Sequence, residues 1–163
     1  MYYLTEIKPA DLLGDEDELP LNPQRWKVAA RCAAGKRASA EVLTWVAAME
    51  RSDQRQAVKG LVYLIKLAQE GKPLSSMLDK KRLHEAHAFH CDVSGKKEKV
   101  WRYRSGDIRV LFYYGRDRLV LLSNVSPKRT DKYSQADLNQ AEAAVREYLL
   151  ALNGQGITWL DDC

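Results

Sequence analysis

The sequence predicts an α+β fold: an antiparallel sheet of three to five strands packed against an N-terminal helical hairpin, with a C-terminal helix. Three observations predict it. Residues 99–124 hold three consecutive runs of strand-forming residues separated by Gly-containing turns, the pattern of a meander of hairpins. Residues 39–70 hold two apolar stripes at helical spacing with a short break at Ser52-Asp53. Residues 134–153 hold a third such stripe, opened by a serine and closed by Gly154.

Taken in order, residues 1–25 read as an acidic N-terminal extension, in which Gly14, Pro20 and Pro23 break any regular element. Such an arm can fold back on a basic face or simply be solvated. Arg25 to Ala33 alternates Trp26, Val28, Ala30 and Cys32 with Lys27, Ala29 and Arg31, which predicts a first strand. Ser39 is placed to cap a helix to about Glu50, with Val42, Leu43, Val46 and Met49 on one stripe. A second helix runs to about Glu70 on Val58, Leu61, Val62, Ile65 and Ala68, and Gly71 sits where a terminating glycine is expected. Residues 72–98 read as loop or short helix, or as a strand leading into the sheet, with a hairpin turn at 95–98. They carry all three histidines, His84, His87 and His90, whose spacing would gather them on one helical arc and raises the question of a metal site. The zincin spacing is absent and no carboxylate pattern completes a ligand set, so the expectation is no metal and no cofactor. The meander follows as Lys99–Arg104, Ile108–Tyr114 and Leu119–Asn124, with turns at Ser105-Gly106-Asp107 and Gly115-Arg116-Asp117. Ser134 caps the final helix, and residues 155–163 read as a tail. One domain, 26–154, is therefore expected between the extension and the tail.

A chain of 163 residues can build a sizeable core, and its 45% hydrophobic and 29% charged content is ordinary for a globular protein. The net charge of +4 is unevenly spread. Residues 1–20 hold six acids and one base, whereas residues 94–132 hold eleven bases and four acids, a net of +7. That concentration favours a polyanionic partner such as nucleic acid. The three cysteines, Cys32, Cys91 and Cys163, are widely spaced and odd in number. They fit neither a disulfide framework nor a structural zinc site and point to a reducing, cytoplasmic setting. No apolar run approaches the ~20 residues of a membrane span, and a signal-peptide pattern is missing.

The alternation within the meander carries the functional reading, because successive strand side chains point to opposite faces. Ile108, Val110, Phe112 and Tyr114 share the core face with Trp101 and Tyr103. Arg102, Arg104 and Arg109 then project together from the other face. Three guanidiniums on one face repel unless an anion sits among them, and Arg suits bidentate contact with phosphate. Lys128, Arg129 and Lys132 follow the third strand and can close the same pocket. The competing reading is a solvated, solubilising face with charges that blunt sheet edges.

This order of elements resembles the RelE/ParE superfamily of bacterial toxins, most closely its HigB-like, phage-derived branch. The likeness covers roughly residues 26–152. It rests on Lys-Lys-Arg-Leu at 80–83, the block from Trp101 to Phe112, and Pro127 to Tyr133 leading into an Ala-rich helix. The resemblance implies a small RelE-like fold and a metal-independent mRNA endonuclease acting on ribosome-bound mRNA to inhibit translation. It also implies a partner antitoxin, itself DNA-binding, encoded beside the toxin. By the same resemblance Arg109 contacts the scissile phosphate, and Arg102, Arg129 and Tyr133 complete the catalytic face. Lys99, Arg104, Lys128 and Lys132 bind RNA phosphates.

In that chemistry the ribose 2′-hydroxyl attacks the adjacent phosphate, giving a 2′,3′-cyclic phosphate and a 5′-hydroxyl. The pentavalent intermediate needs fixed positive charge, which Arg109 and Arg129 can supply. Tyr133, Lys132 or a histidine (His87 or His90) are the candidate bases. Arg102 stays charged at neutral pH and is a poor proton acceptor. Two other functions remain open on the same fold: a ParE-like inhibitor acting by protein contact, and a nucleic-acid-binding module without catalysis.

Overall fold

A computed structural model describes residues 1–14 and 21–160. Its elements are β1 (Tyr2–Glu6), α1 (Pro9–Leu13), β2 (Lys27–Arg31), α2 (Glu41–Ala47), α3 (Arg51–Ala68), β3 (Leu83–Cys91), β4 (Lys96–Ser105), β5 (Ile108–Gly115), β6 (Leu119–Pro127), α4 (Gln135–Asn153) and β7 (Ile157–Trp159). The strands form one seven-stranded sheet in the order β3-β4-β5-β6-β2-β1-β7. The sheet is mixed, since β2 runs parallel to β6 and β7 parallel to β1, while the other pairs are antiparallel.

This architecture corrects the predicted small antiparallel sheet of three to five strands on an N-terminal helical hairpin, the RelE-like arrangement. The sheet is longer at both ends and carries helices on both faces. Tyr2–Glu6 is an interior strand rather than part of an extension, with Tyr2 and Leu4 buried. Tyr-Tyr-Leu-Thr is a run of strand formers, and the acidic residues behind it conceal that run in a composition reading. Ile157–Trp159, read as tail, pairs with β1 and closes the sheet. Residues 83–91, read as loop, helix or lead-in, form the strand at the far edge. Asp15, Glu16, Asp17 and Glu18, the densest part of the predicted acidic arm, lie outside the described residues. The acids nearer the N-terminus do not reach the arginine-bearing strands. Glu6 pairs with Arg25 at 2.7 Å and Asp11 with Arg37 at 3.0 Å.

Two apolar layers sandwich the sheet. On one face Val42 and Val46 of α2 and Ala57, Leu61, Leu64 and Ile65 of α3 pack on Val28, Tyr103, Val110, Phe112 and Val120. On the other, Ala141, Val145, Tyr148 and Leu149 of α4 pack on Leu4, Ala29, Leu111, Leu119 and Leu121. The strand alternation assigns these faces as the sequence predicts, but the second face is covered by α4 rather than left to solvent. α3 lies so close to the sheet that a Cβ on Gly60 would stand 2.7 Å from Ser105 Cβ, so glycine is required there. Tyr103 Oη donates to the Gly60 carbonyl at 2.9 Å across the same contact. The β5–β6 turn places Asp117 and Arg118 at φ of 59° and 58°, the left-handed region, one residue beyond the predicted turn. Ser134 Oγ accepts from Asp137 N–H at 3.0 Å and caps α4 as predicted.

The tyrosines of this sandwich make its stability sensitive to alkali. Burial pushes Tyr2, Tyr103, Tyr113, Tyr114, Tyr133 and Tyr148 above the usual phenol value, Tyr103 and Tyr114 to about 12. A raised folded-state pKa leaves stability intact below the unfolded value of 10.0 and removes it as pH climbs through the folded values. Urea unfolding free energy is therefore expected to fall steeply from about pH 10 towards pH 12. Phenolate absorbance should appear together with unfolding. Ionisation of all eight tyrosines in a still-folded chain would contradict this packing.

Candidate functional site

The second face of β4 and β5 holds the most unusual chemistry among the described residues. Arg102 and Arg109 point from adjacent strands towards the layer that carries α4, flanking Leu111. Arg102 is 8% exposed and Arg109 5%. Neither forms an ion pair with any Asp or Glu among the described residues. Their partners are neutral. Arg109 Nη2 donates to the Thr130 carbonyl at 2.8 Å, and its guanidinium carbon lies 4.2 Å from the centre of the Tyr133 ring. Arg102 Nη2 donates to the Lys81 carbonyl at 2.6 Å and lies 3.2 Å from His84 Nδ1. The Nε of each arginine is buried and has no hydrogen-bond partner among the described residues.

Burying a guanidinium without a counter-ion costs several kcal/mol. Burial lowers the Arg102 pKa; the Tyr133 phenol opposes that shift, and the nearby Arg104 and Arg109 charges reinforce it. Burial raises the Tyr133 pKa although Arg102 and Arg109 pull it down. Tyr133 is thus a neutral phenol at physiological pH. It can donate a proton or a hydrogen bond, but it is ill suited to the role of base that the sequence offered it.

The loop from β6 to α4 builds the roof of this site. Arg129 Nη2 bonds Asp53 Oδ2 at 2.7 Å at the start of α3, which ties the loop to the helical layer. The sequence reading put Arg129 on the phosphate beside Arg109; its guanidinium is instead engaged by Asp53. Lys128 is held by Asp131 at 2.9 Å. Lys132 is exposed on the same loop. Lys99 faces away from Arg102 by strand alternation and pairs with Glu85 at 3.4 Å. Arg104 stands opposite Arg109 in the strand register, and its Nε donates to the Gly106 carbonyl at 3.0 Å, near the sheet end.

The histidines lie on β3, not on a helix. A bulge between Glu85 and His87 puts His84 opposite Arg102 and His87 opposite Val100, both on the α4 side. His90 falls on the other face. His87 Nε2 is 2.9 Å from Glu142 Oε2 of α4, and His84 is the one that reaches the arginines. No group of three metal-ligating side chains occurs among the described residues.

No protein-family model matches this chain, and no curated protein matches it in sequence. Its chemistry is legible only in its own residues. Those residues form a cationic cluster of two buried guanidiniums, one neutral phenol and one imidazole, which can bind and polarise a phosphate. His84, the Lys81 carbonyl and Thr130 are the members that the sequence reading missed. Pairing residues 83–91 with the arginine-rich strand would have found His84, and the strand-like alternation of Leu83, Glu85 and Ala88 is too broken by the bulge to signal it.

Proposed function

We propose that this protein is a metal-independent endoribonuclease acting as the toxin of a toxin–antitoxin pair, with mRNA on the ribosome as substrate and a cognate antitoxin as partner. The observation that carries the reading is the pair of buried, uncompensated guanidiniums, Arg102 and Arg109, against Tyr133. A phosphodiester supplies the charge this pocket lacks. Its oxygens would take the places now held by the Thr130 and Lys81 carbonyls, as charge-assisted and stronger hydrogen bonds.

The reaction then follows from the residues. The ribose 2′-oxygen attacks phosphorus and the bond to the 5′-oxygen breaks. Arg109 and Arg102 stabilise the added negative charge of the pentavalent intermediate. His84 takes the 2′-hydroxyl proton on Nδ1. That nitrogen lies 3.1 Å from the Lys80 carbonyl and 3.2 Å from Arg102 Nη2, and it can accept a proton only in the tautomer that carries its hydrogen on Nε2. Tyr133 gives a proton to the departing 5′-oxygen and recovers it from solvent. The exposed Lys132 and the half-buried Arg104 add electrostatic attraction for the RNA, which makes binding weaken with salt.

Expression of the wild type is expected to arrest bacterial growth and to create new 5′ ends inside the reading frame of a reporter mRNA. His84→Gln keeps RNA affinity but lowers the single-turnover cleavage rate by about 10²–10⁴-fold, the usual contribution of a general base. Growth arrest without new mRNA ends would move the function to inhibition by protein contact. Unchanged cleavage by His84→Gln would remove the imidazole from the mechanism.

A further inference from the structure

A second cationic feature lies on the α3 side of the sheet and meets the site above only at Lys81 and Arg104. A groove of about 1120 Å³ runs along α3, between α1 and the β4–β5 turn. One rim is a helical stripe of Arg51, Arg55, Lys59 and Lys66. The other rim is Lys81, Arg82 and Arg104. Between the rims lies an apolar floor of Leu12, Val58, Val62 and Tyr103, beside Tyr63, which is 43% exposed.

None of these seven cations makes an ion pair among the described residues, and the groove lining contains no acid. Elsewhere on the surface some cations are paired, as Arg31 is with Glu41 and Glu147 and Arg146 with Asp92, and others, such as Lys97 and Lys132, stand without an ion pair among the described residues but line no such apolar groove. Charge left unpaired on both rims of an apolar lane specifies what complements it. The occupant has an apolar stripe to cover the floor and acidic residues on both flanks of that stripe.

We propose that this groove docks an acidic amphipathic helix of a partner protein. The rim from Arg51 to Lys66 spans about 22 Å at helical rise, which matches a partner helix of about 15 residues. Such a helix seats apolar anchors at i, i+3, i+4 and i+7 and meets cations on either side. A single-stranded nucleic acid satisfies the rims but not the floor, since the lane offers aliphatic side chains along most of its length where base stacking needs aromatic ones. The proposal is independent of ribonuclease activity.

The test uses the full chain and a labelled 15-residue peptide with leucines at helical spacing and glutamates elsewhere, a lysine-for-glutamate version of it, and a uridine oligomer. The glutamate peptide is expected to bind with micromolar affinity that falls with salt, while the lysine peptide does not bind. Arg55→Glu/Lys59→Glu, two exposed substitutions that leave the circular dichroism spectrum unchanged, should weaken binding at least about tenfold through charge repulsion. The Arg109→Met protein should bind the peptide as the wild type does. Failure to bind at millimolar peptide, equal binding by the charge-reversed protein, or loss of oligouridine binding in Arg55→Glu/Lys59→Glu without any effect on peptide would overturn the proposal. So would sedimentation showing that the groove is filled by a second copy of this chain.

Discussion

Arg109→Met is expected to reduce RNA cleavage by at least about 100-fold while leaving the chain as stable as the wild type, or more so. The two effects come from the same cause. Arg109 is 5% exposed, lacks a carboxylate partner and leaves its Nε without a hydrogen bond. Its interactions with the Thr130 carbonyl and the Tyr133 ring recover only part of the desolvation cost. Methionine keeps most of the volume and the contact with Tyr133, and it removes the charge. Replacing buried ionic groups by apolar ones of similar size is often neutral or stabilising by about 1–4 kcal/mol. A residue retained for packing behaves in the opposite way. Urea unfolding together with a single-turnover cleavage assay separates the cases. A variant destabilised by several kcal/mol, whose folded fraction still cleaves, would make Arg109 a structural residue.

Removal of residues 1–8 is expected to unfold the protein. β1 lies between β2 and β7, so its loss leaves β7 unpaired, turns β2 into an edge strand and strips Tyr2, Leu4 and Ile7 from both apolar layers. Leu4 is fully buried, and Leu4→Ala alone should cost about 2–5 kcal/mol. Such a loss is a large part of the ~5–15 kcal/mol that holds a domain together. Circular dichroism and urea unfolding of the truncated and Leu4→Ala chains check this. A truncated chain that keeps a cooperative transition and native sheet content would return these residues to the status of an extension.

The contrast between β1 and β5 explains what the sequence could and could not disclose. In β5 the alternation Ile108, Val110, Phe112, Tyr114 is unbroken and bounded by glycines, so both the strand and its faces were legible. The same holds for α3 and α4, whose apolar stripes and serine cap are local signals. β1 is five residues long, and its acidic surroundings outweigh it in composition. For β3 the sequence admits a strand leading into the sheet, but the bulge that breaks its period hid the placement of His84 and the separation of His90 from the other histidines. The site was legible in part for the same reason. Arg102 and Arg109 share a face by strand period alone, and Tyr133 lies against Arg109. The pairing of Arg129 with Asp53 was not legible, because Asp53 is a residue 76 positions away that no local pattern connects to it.

The size of the sheet was not legible either. Parallel pairing of β2 with β6 and of β7 with β1 joins segments distant in sequence, and such pairings leave no periodic trace. The predicted hairpin of helices exists as α2 and α3, but it forms one layer of a sandwich whose other layer is α4. That second layer buries Arg102 and Arg109, and burial strengthens their electrostatic contacts relative to those of a solvated surface.

The most direct test of the ribonuclease reading is the chemistry of the RNA ends made by the purified wild-type protein on mRNA held by translating ribosomes. The account predicts 2′,3′-cyclic phosphate and 5′-hydroxyl ends, absent with Arg109→Met. Intact RNA in every reaction, or 5′-phosphate ends, would contradict it.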